Sequence, residues 1–354
     1  MRPLRRALLH VMRLLGGFAL ARRLTRGQLR ILCYHGFALG KEYQTAPYVF
    51  MRPETFRRRM QILQRLRVPV LPLEEAVTRL RRGALVDAET VITFDDGWAT
   101  NLTVGTPILH EYGYPATVYI TTEHLQFGTE AFYMALARMV YESPKPSATL
   151  LDIHPVLDGI YDLKTDSAAT ARRLVENSAR VGPLRDQLIL LRPIAAALGI
   201  DYDRFFAGGR FRLADADQIR ALGKAGLAIE LHTHSHSLPE DSFESAAREI
   251  EQNRTAIRTL TGTEPHHFCY PSGQHATEHP EWLARLGISS ATTCDPGFSN
   301  SSTPLLLLHR HLDSEFASDI EFEAEIVGVR ELLRRIRAKY IPGHAQPRMA
   351  HDRS

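Results

Sequence analysis

Two stretches of this chain put ionisable side chains where chemistry can use them. VITFDDGWAT, at 91–100, sets Asp95 and Asp96 at the end of a run that suits a buried strand. Adjacent like charges at a strand end are costly unless a cation or a proton transfer makes use of them. LAIELHTHSHSLPE, at 227–240, follows a second strand-like run with His232 and His236 four residues apart. If the loop between them curls helically, the two imidazoles point the same way. Two histidines and one carboxylate are the usual protein ligands of a catalytic zinc, the fourth position being left to water. Other divalent ions accept the same set. Either motif alone is ordinary: paired aspartates often sit in turns, and histidines four apart often lie on a solvated helix face. Both at the ends of expected parallel strands define a candidate site, because barrel enzymes carry their chemistry at C-terminal strand ends. Neighbouring strand residues point to opposite sides, so the strand must end near Asp95 for both aspartates to reach the site. Gly97 permits that break.

The elements that must position these groups alternate along the chain. The strand-like LRILCYHGF is followed by the helical PETFRRRMQILQRLR, with Phe56, Met60, Leu63 and Leu66 on one face. A short VPVL, a helix at LEEAVTRLRRG, the strand VITFDD, a helix at TVGTPILHEYG and the strand ATVYITT come next. Later, the helix ADADQIRALGKAG, the strand LAIEL and the long helix SFESAAREIEQNRTAIRTLTG lead to strand segments at HFCY, ISSATT and LLLLHRHL. This order predicts parallel strands joined by helical crossovers. Residues 125–212 interrupt it with amphipathic helical patterns and no clustered polar motif, which predicts a helical insertion over one rim of a domain spanning 29–345. Residues 346–354 read as a frayed tail.

With 354 residues the chain has room for one large α/β domain or two small ones. Its 44% apolar and 23% charged composition is that of an ordinary globular protein, and a net charge of +3 argues against a nucleic-acid partner. Cys33, Cys269 and Cys294 form no CxxC and no even set, so reduced thiols are expected. The first 30 residues hold eight arginines and no acidic residue. Arg13, Arg22 and Arg23 interrupt any apolar run long enough for a secretory signal or a membrane span. Leu8, Val11, Met12, Leu15 and Phe18 fall at helical spacing. Residues 1–28 therefore read as a basic amphipathic helix, either resting peripherally on an anionic membrane or packed on the domain. The expected location is cytoplasmic, on the inner membrane face in the first case.

TFDDG, the later HTxxH (His232, Thr233, His236) and FCYPSG resemble, in that order, the motifs of the NodB-type polysaccharide deacetylases, carbohydrate esterase family 4. The resemblance runs from about residue 29 to about 312 and includes PILHEYGYPATVYITT. It implies an α/β fold, a distorted (β/α) barrel of the NodB type with a helical insertion. It also implies one divalent metal ion, with zinc expected, and removal of N-acetyl groups from an N-acetylhexosamine in a polysaccharide or lipid-linked glycan. By the same resemblance Asp95 is the general base, and Asp96, His232 and His236 are the metal ligands. Thr233 would hold the histidine loop by a hydrogen bond. Tyr270, through its backbone N–H, would bind the oxyanion, and Pro271 and Trp98 are further expected substrate contacts. One departure concerns Cys269, which stands where many members carry an arginine that orients the base. The general acid is a second. LLLLHRHLD offers His309 and His311, but the related pattern there reads leucine, any residue, arginine. His35, ending the first strand, is the favoured acid: by the resemblance some members carry the acid there, and a closed barrel makes first and last strands neighbours. The competing readings are a hydrolase for a non-sugar amide and a non-catalytic glycan-binding homologue, the latter disfavoured by the intact Asp95, Asp96, His232 and His236.

Overall fold

The computed structural model describes residues 2–340, so residues 341–354, with the expected tail, lie outside the described part. Seven strands make one sheet: β1 (Arg30–Tyr34), β2 (Thr90–Phe94), β3 (Thr117–Ile120), β4 (Ala228–Leu231), β5 (His267–Cys269), β6 (Ser290–Thr292) and β7 (His311–Leu312). Their spatial order is β6-β5-β4-β3-β2-β1-β7, with every pairing parallel. The sequences RILCY and TVITF are buried at every position, as expected for parallel strands covered on both faces. Residues 308–312 close the sheet on itself. The Leu308 N–H donates to the Ala291 carbonyl at 2.8 Å and its own carbonyl accepts from Thr293 N–H at 2.9 Å, while His311 and Leu312 pair with Leu32 and Cys33 of β1. The result is a distorted (β/α) barrel.

The main core lies between the sheet and the crossover helices. Phe94 of β2 meets Phe56, Tyr34 and Phe37 with ring centroids 5.7, 6.0 and 5.9 Å away. Residues 125–212 contain helices with a separate apolar cluster built around Leu136, Leu174, Leu191 and Ile194. They also form an antiparallel ribbon, Ser147–Leu150 with Gly159–Asp162, which the sequence reading did not anticipate. Its strands have four residues each, too few to show a period. VPVL contributes only a single bridge, Val70 to Thr90, and LLLLHRHL begins with a turn at Leu305–Leu307 before β7.

The N-terminal segment is not one helix but two, α1 (Arg2–Leu14) and α2 (Gly17–Leu24), parted at Gly16, whose φ of 77° suits glycine. Both pack on the domain: Leu9, Phe18 and Ala21 are buried against Ile320 and Ala324 of α4 (Asp319–Ile326) and Val329 of α5 (Val329–Tyr340). α3, the long helix Phe243–Thr261, runs behind β4. Among the described residues no helix is long and apolar enough to cross a membrane.

The chain beyond β7 is anchored by a fully buried ion pair. Arg59, on the helix Pro53–Arg65, places Nε 2.8 Å from Asp313 Oδ2, and its Nη1 lies 2.9 Å from Asp319 Oδ1. Replacing Arg59 with methionine leaves the Asp313 carboxylate buried without its partner, which costs about 3–5 kcal/mol. The expected result is a lower urea midpoint for Arg59→Met.

Candidate active site

β2 ends at Phe94, and the backbone then turns through two left-handed residues, Asp96 at φ 69° and Gly97 at φ 81°. A Cβ on Gly97 would come within 2.8 Å of Ile120 Cγ2, so only glycine fits this turn. The turn sends the two carboxylates to different partners. Asp95 is buried in the barrel and paired with Arg310, whose Nη1 lies 2.7 Å from Oδ1 and Nη2 2.8 Å from Oδ2. Burial alone would raise the Asp95 carboxyl. The charge and hydrogen bonds of Arg310 outweigh it and hold the group at about 2. The Cys33 and Cys269 thiols each stand 3.4 Å from Asp95 Oδ2, and Cys294 Sγ is 3.5 Å from Arg310 Nη2. The three free cysteines, remote in sequence, thus gather around one ion pair.

Asp96 faces the histidine loop. Its Oδ1 lies 3.3 Å from His232 Nε2 and 3.4 Å from His236 Nε2, and its Oδ2 accepts the Trp98 indole N–H at 3.0 Å. Ligand atoms about 2.0–2.1 Å from one tetrahedral ion sit roughly 3.3–3.4 Å apart, so the donor set fits a metal ion. His232 Nδ1 is 2.8 Å from the Cys269 carbonyl, a bond in which Nδ1–H donates and Nε2 keeps its lone pair for an ion. Before an ion takes those lone pairs, burial raises the Asp96 carboxyl, and the facing Nε2 atoms of His232 and His236 more than offset it, holding the group well below the ordinary carboxylate range.

The loop does not curl into a helix. Thr233 and His236 both adopt positive φ, 64° and 60°, and the imidazoles meet edge-on with centroids 5.0 Å apart. Thr233 does not supply the expected hydrogen bond, since its Oγ1 is buried without a partner. Two residues of α3 hold the loop instead. Asn253 Oδ1 accepts from His232 N–H at 3.0 Å, and Glu249 Oε2 accepts from the N–H groups of His234 and Ser235 at 3.0 and 2.8 Å. Their spacing of four on an amphipathic helix was the available signal.

Asp95, Asp96, Trp98, His35, His232 and His236 line a single cavity of about 680 Å³. Its outer walls come from residues 45–49 and from the insertion, including Phe132, Met134 and Leu184. Tyr270 and Pro271 are not in the wall; Ser272 is. The Tyr270 N–H is spent on the Thr292 carbonyl at 3.1 Å within the sheet, so it is not free for an oxyanion. Trp98 reaches the cavity, and its polar atom serves Asp96. His35 Nε2 lies 4.0 Å from Asp95 Oδ2, beside the carboxylate with no room for a substrate amide between them. His309 and His311 do not line the cavity: the first packs on Gly297, and Nδ1 of the second sits 3.8 Å from Glu325. Arg310 is the functional residue that sequence reasoning missed, although it is the arginine of the leucine-any-arginine pattern at 308–310.

The family model described as polysaccharide deacetylase matches residues 84–144 and 197–291, the gap falling within the insertion. Over those segments the chain resembles the polysaccharide deacetylase family, hydrolases of carbon–nitrogen bonds other than peptide bonds. Among solved structures it resembles the Streptococcus pyogenes deacetylase PplD in complex with acetate, at 17% identity and TM-score 0.57 over 85% of this chain and 99% of that one. IcaB from Ammonifex degensii shares 14% identity and TM-score 0.52 over 85% of this chain and 97% of its own. BC0361, a polysaccharide deacetylase from Bacillus cereus, shares 15% and TM-score 0.50 over 84% and 69%. These likenesses concern the fold. No curated protein matches the chain.

Arg310→Met leaves burial of Asp95 unopposed, so its carboxyl rises from about 2. In the parent, the depressed value contributes stability that is fully present above about pH 4 and is lost as pH falls through 2. The variant should lose turnover at neutral pH by about 10²-fold or more, with the acid limb of its pH–rate profile moved upward and metal content unchanged.

Proposed function

We propose that the protein is a metal-dependent N-deacetylase acting on an N-acetylhexosamine in a polysaccharide or lipid-linked glycan. The observation that carries this is the juxtaposition, in one cavity, of the Asp95 carboxylate, paired bidentately with Arg310, with the converging donors Asp96, His232 and His236. A divalent ion held by those three, zinc by preference, supplies a Lewis acid that acidifies water and polarises the acetamide carbonyl. Asp95, fixed bidentately by Arg310, takes the proton of the attacking water. Trp98 and the Cys269 carbonyl orient the donor set through Asp96 and His232. His35, which lines the cavity on the same side as Asp95, is the proposed donor of the proton that lets the sugar amine leave, since an amine expelled as its anion is a very poor leaving group. Acetate, present in the Streptococcus pyogenes relative's structure, is the expected product. The basic N-terminal helices are read as a peripheral contact with the inner face of a membrane, the protein being cytoplasmic.

Acetate release from N-acetylated glycans should stop with a chelator and return with zinc. Asp95→Asn should abolish that release while metal content stays near the parent's; loss of the metal with it would mean that the two aspartates have exchanged roles. His35→Ala should lower the rate by about 10²–10⁴-fold with little effect on metal affinity. An unchanged rate would remove His35 as the proton donor.

A further inference from the structure

A helix packed on a globular domain ordinarily turns its apolar stripe inward. α1 does the reverse. Toward the domain it offers buried Leu9 and the arginines Arg6 and Arg13, each 3.2 Å from a carboxylate, Glu321 and Glu323 respectively. On the opposite face Leu4, Leu8, Val11 and Leu15, spaced by four, three and four, are 78%, 58%, 49% and 81% exposed. The apolar surface continues on α2 with Leu20 and Leu24, and on α5, which packs against α2, with Leu333 and Ile336, all about half exposed or more. An uncovered apolar area of this extent marks a contact surface.

Charge identifies what covers it. Arg5 and Arg23 are exposed and make no ion pair among the described residues, and the first 30 residues contain no acidic side chain. A second copy would set arginine against arginine. Leucines flanked by unpaired arginines suit an anionic lipid surface, where the apolar face sinks to the acyl boundary and the guanidinium groups meet headgroups.

This surface leads to the cavity. Arg6 Nη2 lies 3.5 Å from the Phe316 carbonyl oxygen, and the preceding residue, Glu315, donates its N–H to the Pro47 carbonyl at 2.9 Å. Pro47 and Tyr48 form part of the cavity wall, and Phe316 and Tyr48 are both exposed. Residues 315 and 316 therefore join α1 to the cavity wall, with exposed Phe316 and Tyr48 near that join, and the cavity itself is lined by Phe132, Met134 and Leu184.

We propose that α1, α2 and α5 seat the protein on an anionic membrane with the cavity mouth opening along the bilayer, so that its substrate is an amino sugar carried on a membrane-anchored lipid. The substrate half of this inference rests on the deacetylase reading; the docking half does not. The test uses the full chain, loaded with zinc, and a Leu8→Asp/Leu15→Asp variant. Flotation compares phosphatidylcholine vesicles with vesicles containing phosphatidylglycerol. Acetate release compares an alkyl N-acetylglucosaminide embedded in those vesicles with a soluble N-acetylated chito-oligosaccharide. The parent should bind the anionic vesicles, less so at high salt, and the variant should lose at least about tenfold in binding. The variant should lose a similar factor on the embedded substrate alone and keep the parent's rate on the soluble one. Equal vesicle binding by the two proteins, or a parent that dimerises through this face without binding vesicles, overturns the docking surface. Equal losses on both substrates overturn the membrane-borne substrate. Absence of acetate from either substrate sinks the deacetylase reading, while flotation still decides the docking surface.

Discussion

The bidentate pair between Asp95 and Arg310 is the constraint on which the site depends. A carboxylate in a barrel interior would normally protonate, because burial penalises its charged form. Here an arginine, itself buried, supplies two aligned donors and keeps the charge. Buried pairs of this kind add little to stability relative to apolar packing, so their retention is better understood through what an ionised group can do. Everything nearby is arranged around the pair. The left-handed turn at 96–97 directs Asp96 away from it toward the histidines, and three thiols fill the space that a bulkier polar neighbour would disturb.

The donor set and the barrel were legible because their signals are local. A strand ending in FDDG and a strand followed by HTHSH need no distant information, and neither does the regular alternation of strands and helices. Arg310 was not legible in the same way. Its partner is 215 residues away, and the two meet only because residues 308–312 pair with β6 at one end and β1 at the other. The Tyr270 N–H failed as an expected oxyanion donor for a related reason: whether a backbone group is free depends on sheet register, which the sequence of β5 does not reveal. Thr233 was replaced in its role by Asn253 and Glu249, whose helix lies across the loop only in three dimensions.

The cavity joins two parts of the chain with different physics. Its floor is polar and belongs to the barrel, while much of its upper wall is apolar and belongs to the insertion, which has its own core. A half-buried network ties the insertion to the lip formed by residues 41–49. Arg210 bonds both Glu42 and Glu142, and Arg138 reaches Glu142 at 2.8 Å and Thr45 at 3.1 Å. Because these charges satisfy one another across the boundary, separating the lip from the insertion would leave the buried Glu42 without its arginine partner.

The arrangement of the closing segment also bears on how the protein is made. A nascent chain that has emerged through β6 already carries both aspartates, both histidines and most of the sheet, yet it lacks the guanidinium that keeps Asp95 charged. The ribosome delivers residue 310 only after the first six strands of the sheet have been synthesised. Domains begin to fold from the N-terminal side during synthesis. The half of the site built from Asp96, His232 and His236 can therefore assemble on the ribosome while the Asp95–Arg310 pair waits for the last strand, so that the cavity is completed in a late step at barrel closure.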